Sequence, residues 1–246
     1  MVNSGVYSGL CSAKSAGNKL IAMLLDPDKF ISPQANDSLD IAIDAGIDYF
    51  FVGGSLIANP GLDSFLESIR TRCDIPLVLF PGSFFQLSYR ADALLFLSLI
   101  SGRNPELLIG QHVIAAPFLK LSPLEIISTG YMLIDGGVNT SVQYMSNTAP
   151  IPHNKNDIAV STALAGEMLG LKALYLEAGS GALNPVSESM ISDVSGAVSV
   201  PLIAGGGIRN AEKAGAAYRA GADLVVVGNA LERDPGLIRE LAAAKY

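Results

Sequence analysis

Eight short apolar runs constrain this chain more than any other feature. They are Leu20–Leu25, Tyr49–Val52, Pro76–Phe80, Ala93–Leu99, Tyr131–Ile134, Ala173–Leu176, Leu202–Ala204 and Leu224–Val227. Their hydrophobicity is nearly continuous rather than alternating, which is how strands covered on both faces read. Amphipathic stretches of helical character lie between most of them: Pro33–Ala45, Leu62–Arg72, Pro105–Ala115, Asp157–Leu169, Val186–Val198 and Ala211–Ala220. Ser32, Asn104 and Asn184 each precede a proline and are candidate N-caps. Gly46, Gly170 and Gly221 stand where C-terminal glycines belong. Strands alternating with helices predict a parallel α/β fold. At 246 residues the count fits a (β/α)8 TIM barrel, with an open doubly wound sheet as the competing arrangement. No linker or low-complexity segment divides the chain, so residues 1–246 are read as a single TIM-barrel domain.

One unit departs from the pattern. Gly82 to Asp92 is too short for a loop, a full helix and a return loop, because a βαβ crossover needs at least ~10–12 residues, mostly helix. The third strand is therefore expected to lack its helix or to carry something extended there, leaving a side opening lined by apolar strand residues. A short surface turn with one helical turn is the plainer alternative.

Half of the residues are hydrophobic and 16% are charged, which excludes charge-driven disorder. A net charge of −7 argues against a nucleic-acid partner. Any bound anion has to be held locally, by backbone N–H groups or a metal. Cys11 and Cys73 cannot form a disulfide framework and suit a reducing, cytoplasmic location. The longest apolar run, Ala93 to Ile100, includes Ser98 and falls well short of the ~18 residues of a membrane span. The chain start lacks a signal-peptide pattern.

Barrel active sites lie at the C-terminal ends of the strands. Glycines gather after the last two strands, at Gly205-Gly206-Gly207 and Gly228-Asn229, where backbone can approach a ligand and grip a phosphate. Asp26 and Ser55 follow adjacent early strands and offer hard oxygen ligands of the kind Mg²⁺ takes. Asp26 could equally cap the turn before Pro27. Tyr175 and Glu177 share one strand face, and Glu177 is placed either to take a proton from a polyol or to make a structural hydrogen bond. His112 reads as a surface or packing residue and His153 as a loop residue. No lysine lies inside a strand run, which weakens a Schiff-base reading.

The motifs LLDPDK at 24–29, FVGGS at 51–55, LFPGS at 79–83, YLEAGSGA at 175–182, AGGGI at 204–208 and VVGNALE at 226–232 run in family order through nearly the whole chain. In them the chain resembles the geranylgeranylglyceryl phosphate synthases, in the bacterial branch of the wider group that includes the heptaprenylglyceryl phosphate synthases. The resemblance implies a modified barrel and Mg²⁺-dependent transfer of a prenyl group, such as geranylgeranyl, from its diphosphate to the C3 hydroxyl of sn-glycerol 1-phosphate. It implies metal ligands at Asp26 and Ser55, with Asp26 and Glu177 catalytic. It also implies glycerol phosphate contacts at Tyr175, Leu176, Glu177, Ala178, Gly179, Ser180, Gly181, Gly206, Gly207, Gly228 and Asn229. The prenyl tail would lie in an apolar groove on the side of the third helix. Some members carry a basic residue two positions before the metal aspartate, where this chain has Leu24. The lipid product would bring peripheral membrane contact, and a homo-oligomer, dimer or hexamer, is expected. Other phosphate-binding barrels, such as thiamine phosphate synthases or indole-glycerol-type lyases, are the alternative. A non-catalytic prenyl-phosphate carrier is the reading from a different class.

Overall fold

The computed structural model describes residues 5–29, 33–54 and 61–245. Its eight strands are all parallel and close into a barrel in chain order. They are β1 (Leu20–Leu25), β2 (Tyr49–Val52), β3 (Leu77–Leu79), β4 (Ala93–Leu99), β5 (Glu125–Leu133), β6 (Ala173–Glu177), β7 (Leu202–Gly205) and β8 (Leu224–Val227). The helices are α1 (Val6–Ala16), α2 (Pro33–Asp44), α3 (Leu62–Arg70), α4 (Gln111–Lys120), α5 (Ser141–Ser146), α6 (Asn156–Met168), α7 (Glu188–Ala197), α8 (Ala211–Arg219), α9 (Asn229–Arg233) and α10 (Leu237–Ala243), with a π-helical turn at Glu106–Gly110 before α4.

Continuous apolar strands follow from burial on both faces. One face fills the barrel: Ala22, Phe51, Val78, Leu95, Tyr175 and Ile203 belong to an inner cluster. The other, with Ile21, Met23, Phe50, Leu77, Leu174 and Leu202, packs on the helical ring. Val6 and Leu10 of α1 join the inner cluster from below, so this helix stoppers the N-terminal end.

Register is pinned by aspartates placed just before a strand. Asp48, Asp92 and Asp223 each accept an amide at the start of the preceding strand, Ile21 at 2.8 Å, Leu77 at 2.7 Å and Leu202 at 2.9 Å. A strand at the barrel bottom has one amide beyond the ladder, and a short carboxylate satisfies it.

The sequence reading is corrected at three points. β5 begins at Glu125, not Tyr131, because its polar first half hides the strand; Glu125 and Ser128 are only half-buried there. The third strand is trimmed to three residues. α7 begins at Glu188, capped by Ser187 Oγ accepting from Met190 N at 3.2 Å, not by Asn184. Asn104 does act as a cap, accepting from Glu106 N at 3.1 Å, while Ser32 lies outside the described residues. Gly46, Gly170 and Gly221 all take positive φ at helix ends.

Between β3 and β4 there is no helix. Residues 80–92 form a strap instead. Gln86 Nε2 donates to the Gly54 carbonyl at 3.0 Å, and Tyr89 Oη to the Phe118 carbonyl at 3.2 Å. Ser88 donates to the Asp63 carboxylate.

Candidate functional site

Glu177 ends β6 at the barrel mouth and is 6% exposed. Its Oε1 accepts from Gly179 N at 2.6 Å. A side chain at Gly205 would strike the Tyr175 hydroxyl and lie 2.9 Å from Glu177 Oε2, so the second oxygen and that hydroxyl face one bare stretch of β7. Burial pushes the Glu177 pKa up to about 7, against the opposing effect of the Gly179 and Tyr175 contacts. A carboxylate held near neutrality is suited to general-base work. Tyr175 is fully buried, its hydroxyl without a hydrogen bond of normal geometry among the described residues. Its ring stacks on Phe80 at 5.3 Å and tilts against Tyr131 at 5.4 Å.

Next to this acid lie unused amides. Gly206 and Gly207 have φ of +81° and +71°, and a side chain at Gly206 would lie 2.6 Å from Gly179 N. Only glycine tolerates both the handedness and the approach. Among the described residues, the amides of Gly206, Gly207 and Gly228 donate to no backbone carbonyl. Asn229 Nδ2 donates to Ser180 Oγ at 2.6 Å and ties the β8 end to the β6 loop. Leu176 and Ala178 are buried beneath that loop, and Gly181 is exposed on it. These residues, expected to bind glycerol phosphate, are brought together at one rim. Leu24 packs under Gly228, where a Cβ would be 3.4 Å from the leucine's own.

The sequence reading passed over Arg209, whose guanidinium sits 2.5 Å from the Ala182 carbonyl and braces the β7 loop on the β6 loop. Its one legible signal is a cation two residues after the glycine run.

Asp26 stands across the mouth at the end of β1. Oδ1 accepts from Asp28 N at 3.1 Å, and Oδ2 lies 3.6 Å from Lys29 Nζ. The turn-capping alternative therefore holds, yet it uses only one oxygen as a strong acceptor. Burial raises the Asp26 pKa, opposed first by the Asp28 amide and then by Lys29. Its donor type fits a hard cation, which takes few protein oxygens and completes its shell from water and phosphate. Ser55 lies outside the described residues. No cluster of three or more ligating side chains occurs among the described residues.

The missing helix leaves a cavity of about 110 Å³. One bank is the strap, with Phe84 and Leu87. The floor is β4, with Leu95, Phe96 and Leu97; the other bank is Leu107, His112, Ala115 and Leu119. Its inner end is Tyr131, the ring that touches Tyr175. The side opening expected from the short third unit is thus an apolar groove that ends at Tyr131, one ring away from Tyr175. His112 is buried in its wall rather than on the surface, and His153 is exposed on its loop. No helix among the described residues is long and apolar enough to cross a membrane.

Residues 17–245 match the PcrB family. A geranylgeranylglyceryl phosphate synthase of Chitinophaga pinensis is 55% identical over 245 residues, covering 100% of this chain and 97% of that protein. The crystal structure of (S)-3-O-geranylgeranylglyceryl phosphate synthase from Thermoplasma acidophilum, in complex with its substrate sn-glycerol-1-phosphate, matches with a TM-score of 0.91 at 31% identity, over 98% of each chain. A thiamine phosphate pyrophosphorylase from Pyrococcus furiosus, at 15% identity and a TM-score of 0.58 over 94% and 97% of the two chains, shares the fold alone.

Proposed function

This chain belongs to the PcrB family, and we propose that it transfers a prenyl group, such as geranylgeranyl, from its diphosphate to the C3 hydroxyl of sn-glycerol 1-phosphate. The products are an ether-linked prenylglyceryl phosphate and pyrophosphate. One observation supports this reading above the others. A buried carboxylate sits beside a rim of backbone amides that donate to no carbonyl among the described residues, and the Tyr175 and Tyr131 rings connect it to the inner end of an apolar groove. Two ligands of opposite character, a phosphorylated alcohol and an oily chain, would meet there.

The acceptor phosphate would be held by the amides of Gly206, Gly207 and Gly228, with Asn229 and Ser180 fixing the rim between them. Backbone donors suit an anion in a chain of net negative charge, because they act locally. Arg209 adds a permanent charge beside that rim, on the opposite side from the apolar Leu24. The glycerol C3 oxygen would lie against Glu177 Oε2 and the Tyr175 hydroxyl. As that oxygen attacks the allylic carbon, Glu177 accepts its proton. A carboxylate near pKa 7 is largely ionised above neutrality and still basic enough to do this. A divalent ion such as Mg²⁺, held by Asp26 and Ser55, would offset charge on the departing diphosphate. The groove binds the chain by apolar contact, at roughly 0.8 kcal/mol per buried methylene, and keeps water from the allylic carbon.

Incubation of the purified protein with sn-glycerol 1-phosphate, prenyl diphosphates of several lengths and Mg²⁺ tests this, with the product read by mass spectrometry. An ether-linked lipid phosphate and pyrophosphate are expected, dependent on the ion. Binding of both ligands without turnover would leave only a carrier. Absence of product and of binding would overturn the reading. A thiamine phosphate synthase has no use for the groove, so the likeness to one extends to the barrel only.

A further inference from the structure

The groove holds one buried polar pair. His112 on α4 is 8% exposed, and its Nε2 lies 3.0 Å from Oγ of Ser98, the one polar residue of β4. The imidazole stands edge-on to Phe96, centroids 4.4 Å apart at 82°. Nδ1 is buried and makes no hydrogen bond of normal geometry among the described residues. A buried polar atom left in that condition destabilises the fold, and an apolar side chain would avoid the penalty. The pair joins the floor of the groove to one bank.

The charge around this ring is one-sided. The other titratable side chain lining the groove is Tyr131, whose pKa burial lifts well above the ordinary range. On the elements packed about it, Glu106 and Lys120 are exposed at the two ends of the π turn and α4. Arg90 pairs with Glu67 at 3.0 Å, and Asp92 pairs with Arg70. Glu125 of β5 accepts from Tyr7 N at 3.2 Å. None of these lines the groove. A proton on His112 would therefore face hydrocarbon with no counter-charge, a costly arrangement. Burial already holds the His112 pKa below its usual value, with the Leu97 backbone opposing.

We propose that His112 is a positioning residue for the prenyl donor: pinned to Ser98, its uncharged ring holds α4 at the spacing that admits the tail, and the donor binds only while the ring carries no proton. This rests on the groove being the donor site. Glu177 governs a different quantity, since its proton affects turnover rather than the fit of the tail.

The test is steady-state kinetics with Mg²⁺ and saturating sn-glycerol 1-phosphate across roughly pH 5 to 9, on the wild type, His112→Phe and Ser98→Ala. In the wild type the donor KM should rise by up to about tenfold per pH unit on the acid side, as the competent fraction falls. His112→Phe should keep only the part due to protonation of the diphosphate, which is common to both proteins. Ser98→Ala should raise the donor KM several-fold and leave kcat and the glycerol phosphate KM within about twofold. Superimposable donor-KM profiles for wild type and His112→Phe would overturn the proposal, as would an unchanged donor KM in Ser98→Ala. If His112→Phe does not fold, the Ser98→Ala titration decides alone, because loss of the partner must shift the acid rise along the pH axis. A wild type that makes no prenylated product at any pH refutes the activity itself, an outcome distinct from either.

Discussion

Between β6 and β8 the barrel mouth is made of backbone; between β3 and β4 it is made of side chains. The first region offers amides of Gly206, Gly207 and Gly228 on loops cross-tied by Asn229 to Ser180 and by Arg209 to Ala182. The second offers leucine and phenylalanine surfaces on a strap and a helix that replace a missing ring element. Directional donors fix a small anion at one place and leave little to vary. Apolar contact is non-directional and scales with area, so the same groove can take chains of different length by changing a few side chains. Glu177 sits at the seam and belongs to both.

That contrast can be broken most sharply at the seam. Glu177→Gln should lower kcat by about 100-fold or more while leaving the donor KM nearly unchanged; equal turnover would remove Glu177 from the base role. The same variant carries a stability signature. The folded pKa of Glu177 is raised to about 7, so ionising it costs nothing below its unfolded value of 4.5 and the full amount above 7. Denaturant melts should show Glu177→Gln more stable than wild type by roughly 2–4 kcal/mol at alkaline pH and level with it in acid.

Asp26→Ala comes next, with a loss of about 100-fold in Mg²⁺-dependent turnover and a fold that stays intact apart from the lost turn cap; full activity would refute the metal assignment. On the backbone side, Gly206→Ala forces a side chain into a left-handed position against Gly179 N. It should cost about 1–3 kcal/mol of stability and raise the glycerol phosphate KM more than the donor KM. The smallest effect is expected on the side-chain half. Leu87→Trp should fill the groove and lower kcat/KM for the longest donors by about tenfold, shifting the product profile to shorter chains. If the two halves responded alike, the division between them would be wrong.

Much of the barrel was legible because its physics is local. Each apolar run is a strand for the reason that both faces are covered, and Gly82 to Asp92 is too short for a helix whatever surrounds it. β5 was read short because Glu125 and Ser128 look like loop residues until the neighbouring strands supply hydrogen bonds. At the site, glycine runs and strand-end acids announced themselves by position. His112 did not: its burial depends on Ser98 and Phe96, on another element, and on a helix that is not there.

The sequence by itself determined the order and number of strands, the absent helix and the rim of glycines, since each follows from chain length, periodicity or the lack of a Cβ. Only the tertiary structure decided that Glu177 is buried to a pKa near 7, that Oε2 shares its space with Tyr175, and that the groove ends at Tyr131, against the Tyr175 ring. Those properties arise where residues far apart in the chain exclude water together, and no single segment encodes that exclusion.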